Sequence, residues 1–355
     1  MGYMAVLVSA FDRLRDDRLV ESVKLSNALG TEVTLLTLGA TIQSFVFEGK
    51  DIVLGFDRAG DYFASGAYIG ATVGRVCNRT ADGAFRLNGT DYTLQCNEID
   101  RHVHLHGGMV GFDKKIWECT ILDDGDEPAV AFDMTSKDGD EGYPGNLRVR
   151  LAYTLKADNT LVLDYTAASD ADTPLNLTNH VYFNLNGCDG DTVKNHYLRI
   201  AAEEYTPVTE RLVPTGEYAP VADTCIDFRQ FKTIGEALEG TDACMEYTGG
   251  VDHNFVLAHE RRALSEAAVA YSPATSLRVT CCTDLPGLQV YTGNFLGENG
   301  GKYGLTWDKY QGFCLETQFF ANSVNEPRFP SIILKAGDVF TSRTTYRIDK
   351  VGEEK

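Results

Sequence analysis

The feature that most limits the fold is a period-two alternation of apolar and polar residues that recurs along the chain. Such alternation, and runs of β-branched residues, predict strands. The clearest predicted strands are residues 32–38, 147–155, 161–165, 277–281 and 340–348. Turn-forming pairs such as Asn88-Gly89 separate these runs and are typical of hairpins. Helical periodicity is confined to residues 231–238 and 260–268. The pattern predicts an all-β fold, most simply a large antiparallel β-sandwich.

The sequence gives no sign of a domain boundary. No proline- or serine-rich linker, block of charge or low-complexity tract divides the 355 residues. All-β folds often exceed the usual domain size as one unit. We therefore expect residues 1–355 to form a single domain.

The charge balance excludes several classes of partner. Asp and Glu number 51 against 32 Lys and Arg, which gives a net charge of −19 at pH 7. This charge repels nucleic acid and anionic membranes but not a neutral ligand. No apolar run approaches the roughly 18 residues of a membrane span, and residues 4–8 lack the basic leader of a signal peptide. We expect a cytoplasmic protein, monomeric or homodimeric, with a small neutral ligand.

Motifs that are typical of nucleotide-binding proteins, zinc proteases and serine hydrolases are absent from the sequence. The chain contains no GxGxxG, P-loop, HExxH or GxSxG motif. Its nine cysteines form no Cys-x-x-Cys pair, and we interpret them as reduced thiols in the core. We therefore expect chemistry by side chains alone, with no cofactor and no metal.

Residues 176–185 alternate strictly, yet neither face looks like an ordinary solvent face. Leu177, Val181 and Phe183 fall on one face of a strand. The other face is uncharged but rich in hydrogen-bonding groups: Asn176, Thr178, His180, Tyr182 and Asn184. Such a face suits a cavity that binds a neutral, polyhydroxylated ligand. A core histidine satisfied by hydrogen bonds fits this strand equally well.

A second histidine cluster lies in residues 101–108. His102, His104 and His106 share one face if the segment is extended. A metal site is one interpretation, but no carboxylate or thiolate stands nearby in ligand spacing. Gly107 and Gly108 allow a sharp turn and a close approach of a ligand, which favours His106 as the histidine that faces a site.

Several other polar groups stand in apolar surroundings. Glu316 interrupts an apolar strand, where partial burial would raise the pKa of its carboxyl toward the range useful for a general base. A surface ion pair explains Glu316 alone equally well. Asn78, Arg79, Asp252 and Gln289 supply donors and acceptors that can hold a ring of hydroxyls, although turn formation also explains the Asn and Asp residues.

Motifs along the chain resemble those of a known enzyme family. The chain resembles the aldose 1-epimerases, also called galactose mutarotases, through motifs that occur in order along most of its length. These motifs are residues 70–79, 105–108, 111–117, 141–146, 176–185, 205–208, 214–216, 251–254, 290–294 and 315–318. Residues 97–105 depart from the usual pattern because the segment is slightly longer and carries His102 and His104 in addition, which leaves the preferred aldose open.

The resemblance implies a large β-sandwich with an open sugar-binding cleft and a cofactor-free interconversion of α and β aldohexose anomers. It implies that His180 is the general acid at the ring oxygen and Glu316 the general base at the anomeric hydroxyl. His106 would bind near the ring oxygen. The sugar hydroxyls would be held by Asn78, Arg79, Asp252 and Gln289. We then expect the rate to fall at high pH as an imidazolium deprotonates and at low pH as Glu316 is protonated.

Two other classes of function use similar residues. A non-catalytic sugar-binding protein needs the hydroxyl-holding groups but not an acid and a base. A glycoside hydrolase needs two carboxylates at a controlled separation, and the histidine argues against it.

Overall fold

The computed structural model describes residues 5–352, in which strands dominate. Residue 4 of the N-terminal apolar run lies outside this range. The strands, in chain order, are β1 (Val6–Arg13), β2 (Leu19–Ser26), β3 (Glu32–Leu36), β4 (Thr41–Phe47), β5 (Lys50–Asp51), β6 (Thr72–Val73), β7 (Arg79–Ala81), β8 (Ala84–Leu87), β9 (Thr90–Thr93), β10 (Val103–Leu105), β11 (Glu118–Asp123), β12 (Ala129–Ser136), β13 (Leu147–Leu155), β14 (Thr160–Ser169), β15 (Thr173–Pro174), β16 (Thr178–Asn179), β17 (Tyr182–Phe183), β18 (Tyr197–Ile200), β19 (Glu204–Tyr205), β20 (Ala219–Pro220), β21 (Lys232–Thr233), β22 (Asp252–Val256), β23 (Ser265–Tyr271), β24 (Leu277–Thr283), β25 (Gly287–Tyr291), β26 (Phe313–Gln318), β27 (Ile333–Leu334) and β28 (Val339–Lys350). The α-helices are α1 (Ala59–Ala64) and α2 (Ile234–Leu238).

Three antiparallel sheets make up the body of the fold. The largest has nine strands in the order β11-β12-β13-β14-β28-β24-β23-β18-β21. A second has six strands in the order β17-β26-β25-β22-β19-β20, and a third joins β1 to β5 in sequence. The prediction of an all-β, antiparallel architecture is confirmed. Within residues 5–352, no helix is both long and apolar enough to cross a membrane.

The main hydrophobic core lies where the three sheets meet. It contains residues from each of them, such as Leu151, Leu288 and Val33, all fully buried. Each such side chain stabilises the fold by roughly 1.5–3 kcal/mol. The Tyr346 hydroxyl donates a 2.8 Å hydrogen bond to the Leu315 carbonyl and joins the nine- and six-stranded sheets. One face of the six-stranded sheet is thereby fixed in the core, and its other face is available for a site.

The predicted strands are confirmed, but the helices are only partly so. Of residues 231–238 only Ile234–Leu238 are helical, and Thr233 and Glu236 form a capping box at the start. The helix predicted at residues 260–268 is wrong, because β23 begins at Ser265. Alanine favours a helix locally, but pairing with β18 and β24 buries Ala267 to Ala270 and overrides that preference.

The prediction of one strand over residues 176–185 is also wrong in part. The segment forms two short strands, β16 and β17, which pair with β6 and β26 respectively. Between them the His180 N–H donates to the Ala71 carbonyl, and the Gly70 N–H donates to the His180 carbonyl. The alternation of faces nevertheless holds, since Val181 and Phe183 are in the main core. The segment therefore passes from one sheet partner to the next at His180.

The cysteines differ from expectation in their burial. All nine are free thiols and lie within the described residues. Five are buried, and four are partly exposed: Cys96, Cys119, Cys244 and Cys282. The interpretation as core thiols therefore holds for five of them.

Candidate active site

The outer face of the six-stranded sheet forms the floor of a cavity. Alternate residues of a strand point to opposite faces, so Leu288 and Val290 enter the core while Gln289 faces outward. Asp252 on β22 and Glu316 on β26 line the same cavity. Gln289 stands opposite Glu316 in the pairing of β25 with β26. Three neighbouring strands thus present three polar side chains to one space.

The wall beside this floor comes from β7 and β10. Leu105 pairs with Arg79, and the His106 N–H donates to the Asn78 carbonyl at 3.1 Å. The chain then turns sharply at Gly107, where φ is +87° and a Cβ would lie 1.9 Å from the Gly74 oxygen. Only glycine fits that position, so the turn that the two glycines predicted does present His106 to the cavity.

All seven residues predicted for the site line one cavity of about 360 Å³. They are Asn78, Arg79, His106, His180, Asp252, Gln289 and Glu316. They come from segments as distant as residues 78 and 316, and every one is buried or nearly so. A volume of this size suits a small ligand.

His180 and Glu316 are the central pair of the cavity. The His180 Nε2 and Glu316 Oε1 atoms lie 3.6 Å apart, and the two side chains are only 6% and 2% exposed. On its other side the imidazole has the Cys314 Sγ atom 3.5 Å from Nδ1. Among residues 5–352, Glu316 Oε2 is buried and has no hydrogen-bond partner. An unpartnered buried oxygen is uncommon in folded proteins, and this one belongs to a residue that lines the cavity.

The tautomer of His106 follows from its neighbour. The Asn78 N–H donates to His106 Nδ1 at 3.1 Å, so a neutral imidazole carries its proton on Nε2. His106 is then a hydrogen-bond donor through Nε2. Ligand atoms of His106, His180 and Glu316 lie within 4.8 Å of one another, as a metal site requires. A protonated Nε2 cannot ligate a metal, however, so the hydrogen bond from Asn78 favours donation to a ligand oxygen over metal binding.

Burial shifts the titration of all three groups toward their neutral forms. Desolvation lowers the pKa of His180 from 6.5 to about 4 and lowers that of His106 well below 6.5. Desolvation, with a contribution from Asp252, raises the pKa of Glu316 well above 4.5. Both shifts favour a neutral imidazole beside a neutral carboxyl in the free protein. This is the reverse of the imidazolium and carboxylate expected from the sequence.

The polar groups beside the pair are held by one another. Gln289 Nε2 donates to Asp252 Oδ1 at 2.6 Å, and Arg79 Nη1 lies 3.9 Å from Asp252 Oδ2. Arg79 Nε also donates to Glu98 at 2.8 Å. These contacts fix the side chains before any ligand binds, which lowers the entropy lost on binding.

Sequence reasoning missed part of the lining. The additional polar and aromatic residues are Tyr68, Glu98, Arg101, Tyr182, Tyr291, Phe295 and Glu298. Tyr182 lies in the alternating segment and Tyr291 in a family motif, but neither was predicted as a site residue. The others come from loops and turns without periodicity, although the ion pair of Glu98 with Arg101 has the i,i+3 spacing of a helical turn.

The remaining histidines of the 101–108 cluster lie outside the cavity. His102 is exposed, with Nδ1 3.3 Å from Asp82. His104 is buried and has Nδ1 2.8 Å from the Gln95 carbonyl. The expectation that three imidazoles share a strand face is wrong, because His102 and His106 have left-handed φ values of 52° and 54° at the two ends of β10.

A comparison with known families identifies the group to which this fold and cavity belong. The family model described as aldose 1-epimerase matches residues 21–347. This chain belongs to the aldose 1-epimerase family. Human galactose mutarotase is 39% identical over 334 residues, which are 92% of this chain and 94% of the relative. The aldose 1-epimerase of Escherichia coli K12 is 36% identical over 330 residues, covering 91% and 93%.

Solved structures agree with this assignment. Galactose 1-epimerase from Lactobacillus acidophilus NCFM superimposes with a TM-score of 0.87 at 28% identity, covering 98% of this chain and 99% of that one. An aldose epimerase homologue from C. elegans gives a TM-score of 0.84 at 31% identity, covering 93% and 99%. The predicted family and the predicted β-sandwich are therefore both confirmed.

Proposed function

We propose that this epimerase interconverts the α and β anomers of an aldohexose, such as galactose or glucose, by opening and reclosing the sugar ring. The observation that carries the proposal is the 3.6 Å approach of His180 Nε2 to Glu316 Oε1 in a cavity lined with hydroxyl-binding groups. Ring opening needs one group to remove the proton of the anomeric hydroxyl and another to protonate the ring oxygen. An adjacent imidazole and carboxyl supply both.

Glu316 is the base and His180 the acid in this scheme. The anomeric hydroxyl donates to Glu316, whose Oε2 has no hydrogen-bond partner among the residues that the structure describes. As Glu316 takes this proton, His180 gives one to the ring oxygen, and the C1–O5 bond breaks to leave an open-chain aldehyde. Rotation about C1–C2 presents the other face of the aldehyde. The same transfers in reverse then close the opposite anomer, so the enzyme returns to its starting protonation state.

The active form of the pair is an imidazolium beside a carboxylate. It contains the same single proton as the neutral pair that burial favours, with that proton moved from Glu316 to His180. Sugar hydroxyls that donate to Glu316 stabilise the carboxylate and therefore this form. His106 donates through Nε2 to the region of the ring oxygen, and Asn78, Arg79, Asp252 and Gln289 hold the remaining hydroxyls.

The protonation of the pair sets the pH dependence. Protonation of His180, with a pKa of about 4, adds a second proton and produces the acidic limb. Loss of the shared proton at the raised pKa of Glu316 produces the alkaline limb. The expected profile is bell-shaped, as it is in the expectation from the sequence. The assignment of the limbs is exchanged: His180 now sets the acidic limb and Glu316 the alkaline limb.

The cysteines bear on the location of the enzyme. We place the enzyme in the cytoplasm, a reducing compartment, which is supported by its nine unpaired thiols. Its ligand is a small neutral aldose. The proposed reaction requires no cofactor and no metal.

Polarimetry tests the proposed reaction. Freshly dissolved α-galactose and α-glucose should mutarotate faster with the protein than without it, and an excess of chelator should leave that rate unchanged. Sugar binding without acceleration would favour a non-catalytic binding protein. Release of nitrophenol from nitrophenyl glycosides would favour a glycoside hydrolase that uses Asp252 and Glu316 as its two carboxylates.

A further inference from the structure

Outside the sugar cavity, three side chains with metal-ligating atoms converge on one point. Cys225 follows β20, while Asp242 and Cys244 lie at the start of the short turn Ala243–Met245. Their ligand atoms all lie within 4.8 Å of one another. Cys225 is buried, Cys244 is partly exposed and Asp242 is exposed, so an ion could enter from solvent. None of the three lines the sugar cavity.

The separation of the two sulfurs matches the geometry of a shared ion. The Sγ atoms of Cys225 and Cys244 lie 3.8 Å apart. A tetrahedral Zn²⁺ ion with Zn–S bonds of about 2.3 Å holds two sulfurs about 3.8 Å apart. A disulfide requires about 2.05 Å and has no need for the carboxylate that stands beside the thiols. Two thiolates select zinc-like cations over Mg²⁺ or Ca²⁺, which prefer oxygen ligands.

Hydrogen bonds to backbone groups fix the main chain around the three ligands, and the two thiols contact each other. Lys232 Nζ donates to the Cys225 carbonyl and His253 Nε2 to the Cys244 carbonyl, each at 2.8 Å. The Cys225 N–H donates to Asp242 Oδ2 at 2.5 Å. Metal sites typically have such support around their ligands.

We propose that Cys225, Cys244 and Asp242 bind one Zn²⁺ ion, with water as the fourth ligand. The ion ties the loop around Cys225 to the turn at Cys244 and stabilises this region. The Cys244 carbonyl is bonded to His253, the neighbour of Asp252 in the sugar cavity, so the ion also supports one edge of the cavity floor. The site itself does not depend on the proposed enzymatic function.

Binding displaces protons from the thiols. An ordinary cysteine thiol has a pKa of about 8.5 and is protonated at neutral pH. A zinc ligand must be a thiolate, so two protons leave as one ion binds. The apparent affinity should therefore rise about 100-fold for each unit of increase in pH below the thiol pKa values.

Cobalt(II) and zinc titrations of the full-length protein, kept reduced with a phosphine, test the proposal. Co²⁺ should bind one per chain and give sulfur-to-cobalt charge-transfer absorption together with the strong visible bands of a tetrahedral ion, and Zn²⁺ should displace it. Calorimetry in two buffers of different ionisation enthalpy should show release of two protons per Zn²⁺. These readouts need no sugar and no activity, so their failure is distinct from failure of the proposed reaction.

Variants assign the ligands. Cys225→Ser and Cys244→Ser should each weaken Zn²⁺ binding at least 100-fold, and Asp242→Asn about 10-fold. Cys282→Ser is the matched control, because Cys282 is another partly exposed thiol that lies on β24 away from the cluster, and its binding should equal that of wild type. The proposal is overturned if Co²⁺ gives no charge-transfer band or if either serine variant binds as wild type does. A Cys225–Cys244 disulfide that persists in the presence of the phosphine, seen as a loss of two hydrogens by mass spectrometry, would also overturn it.

Discussion

Replacing His180 with Asn separates the catalytic role of the imidazole from its effect on stability. Within the described residues, the imidazole makes no conventional hydrogen bond to another residue, because its side-chain neighbours are a thiol at 3.5 Å and a carboxyl at 3.6 Å. We therefore expect His180→Asn to change the free energy of unfolding at pH 8 by less than about 1 kcal/mol. Loss of the general acid should lower kcat by about 10²–10⁴-fold.

The pH dependence of stability gives a second, quantitative test of the same variant. The pKa of His180 is 6.5 when unfolded and about 4 when folded, so below pH 6.5 the unfolded chain binds more protons and folding becomes weaker. From pH 6.5 to pH 5 this costs 1.5 units at about 1.36 kcal/mol each, or about 2 kcal/mol. The loss of stability between pH 8 and pH 5 should therefore be about 2 kcal/mol smaller in His180→Asn than in wild type.

Urea unfolding followed by fluorescence of the buried Trp117 and Trp307 measures these free energies. His196→Asn is the matched control, because burial also lowers the pKa of His196 to about 4 but His196 lies outside the cavity. His196 Nε2 accepts from the Leu185 N–H, so this control should lose about 1–3 kcal/mol at pH 8 and keep its activity. If His180→Asn retained turnover, or showed the full acid-induced loss, the assignment of His180 would be wrong.

Three further predictions concern the remaining groups of the cavity. Glu316→Gln should lower kcat at least ~10²-fold. Its melting temperature should not fall, because the raised pKa of the Glu316 carboxyl means that wild-type stability declines as pH rises above 4.5. A clear drop in melting temperature would contradict this. Arg79→Lys keeps the charge but loses the fork that contacts Glu98 and Asp252, so KM should rise about 10-fold or more while kcat changes less; an unchanged KM in polarimetry would exclude Arg79 from sugar binding. An NMR titration of the free protein should give a His180 pKa near 4, and an imidazole that titrates above 6.5 would show that Glu316, not desolvation, controls it.

Local periodicity explains which parts of the fold the sequence predicts. The run that became β13 is recognised within its own nine residues, because period-two alternation is a property of adjacent positions. The error at residues 260–268 has the opposite cause. Strands β18 and β24 hold β23 in a sheet. β24 begins just after Tyr271, but β18 ends more than 60 residues before Ser265. A pattern of neighbouring residues cannot reveal the pairing with β18.

The same distinction applies to the cavity. Glu316 and Gln289 can be found from sequence because a polar residue interrupts a strand that is otherwise buried. Tyr68 and Phe295 cannot, since each stands in an irregular segment that reaches the cavity only through the path of the whole chain. The pKa values depend on the same long-range packing. The pKa of His180 is lowered because residues from distant parts of the chain exclude water from its imidazole. The residues next to His180 in the sequence cannot reveal this.

The register between β17 and β26 determines why this particular acid and base meet. Tyr182 pairs with Cys314 and Phe183 with Phe313, in an antiparallel arrangement. Extended by two residues, this register places His180 opposite Glu316, on the face away from the core, although the hydrogen-bonded ladder ends at Tyr182. Residues opposite each other in this way have Cβ atoms about 5 Å apart. Two side chains at this spacing can contact neighbouring oxygens of the same sugar. A shift of one residue would place Leu315 opposite His180 and direct Glu316 into the core. The core packing of Phe183, Phe313 and Leu315 prevents that shift, so the hydrophobic face of the sheet fixes the catalytic pair on the other face.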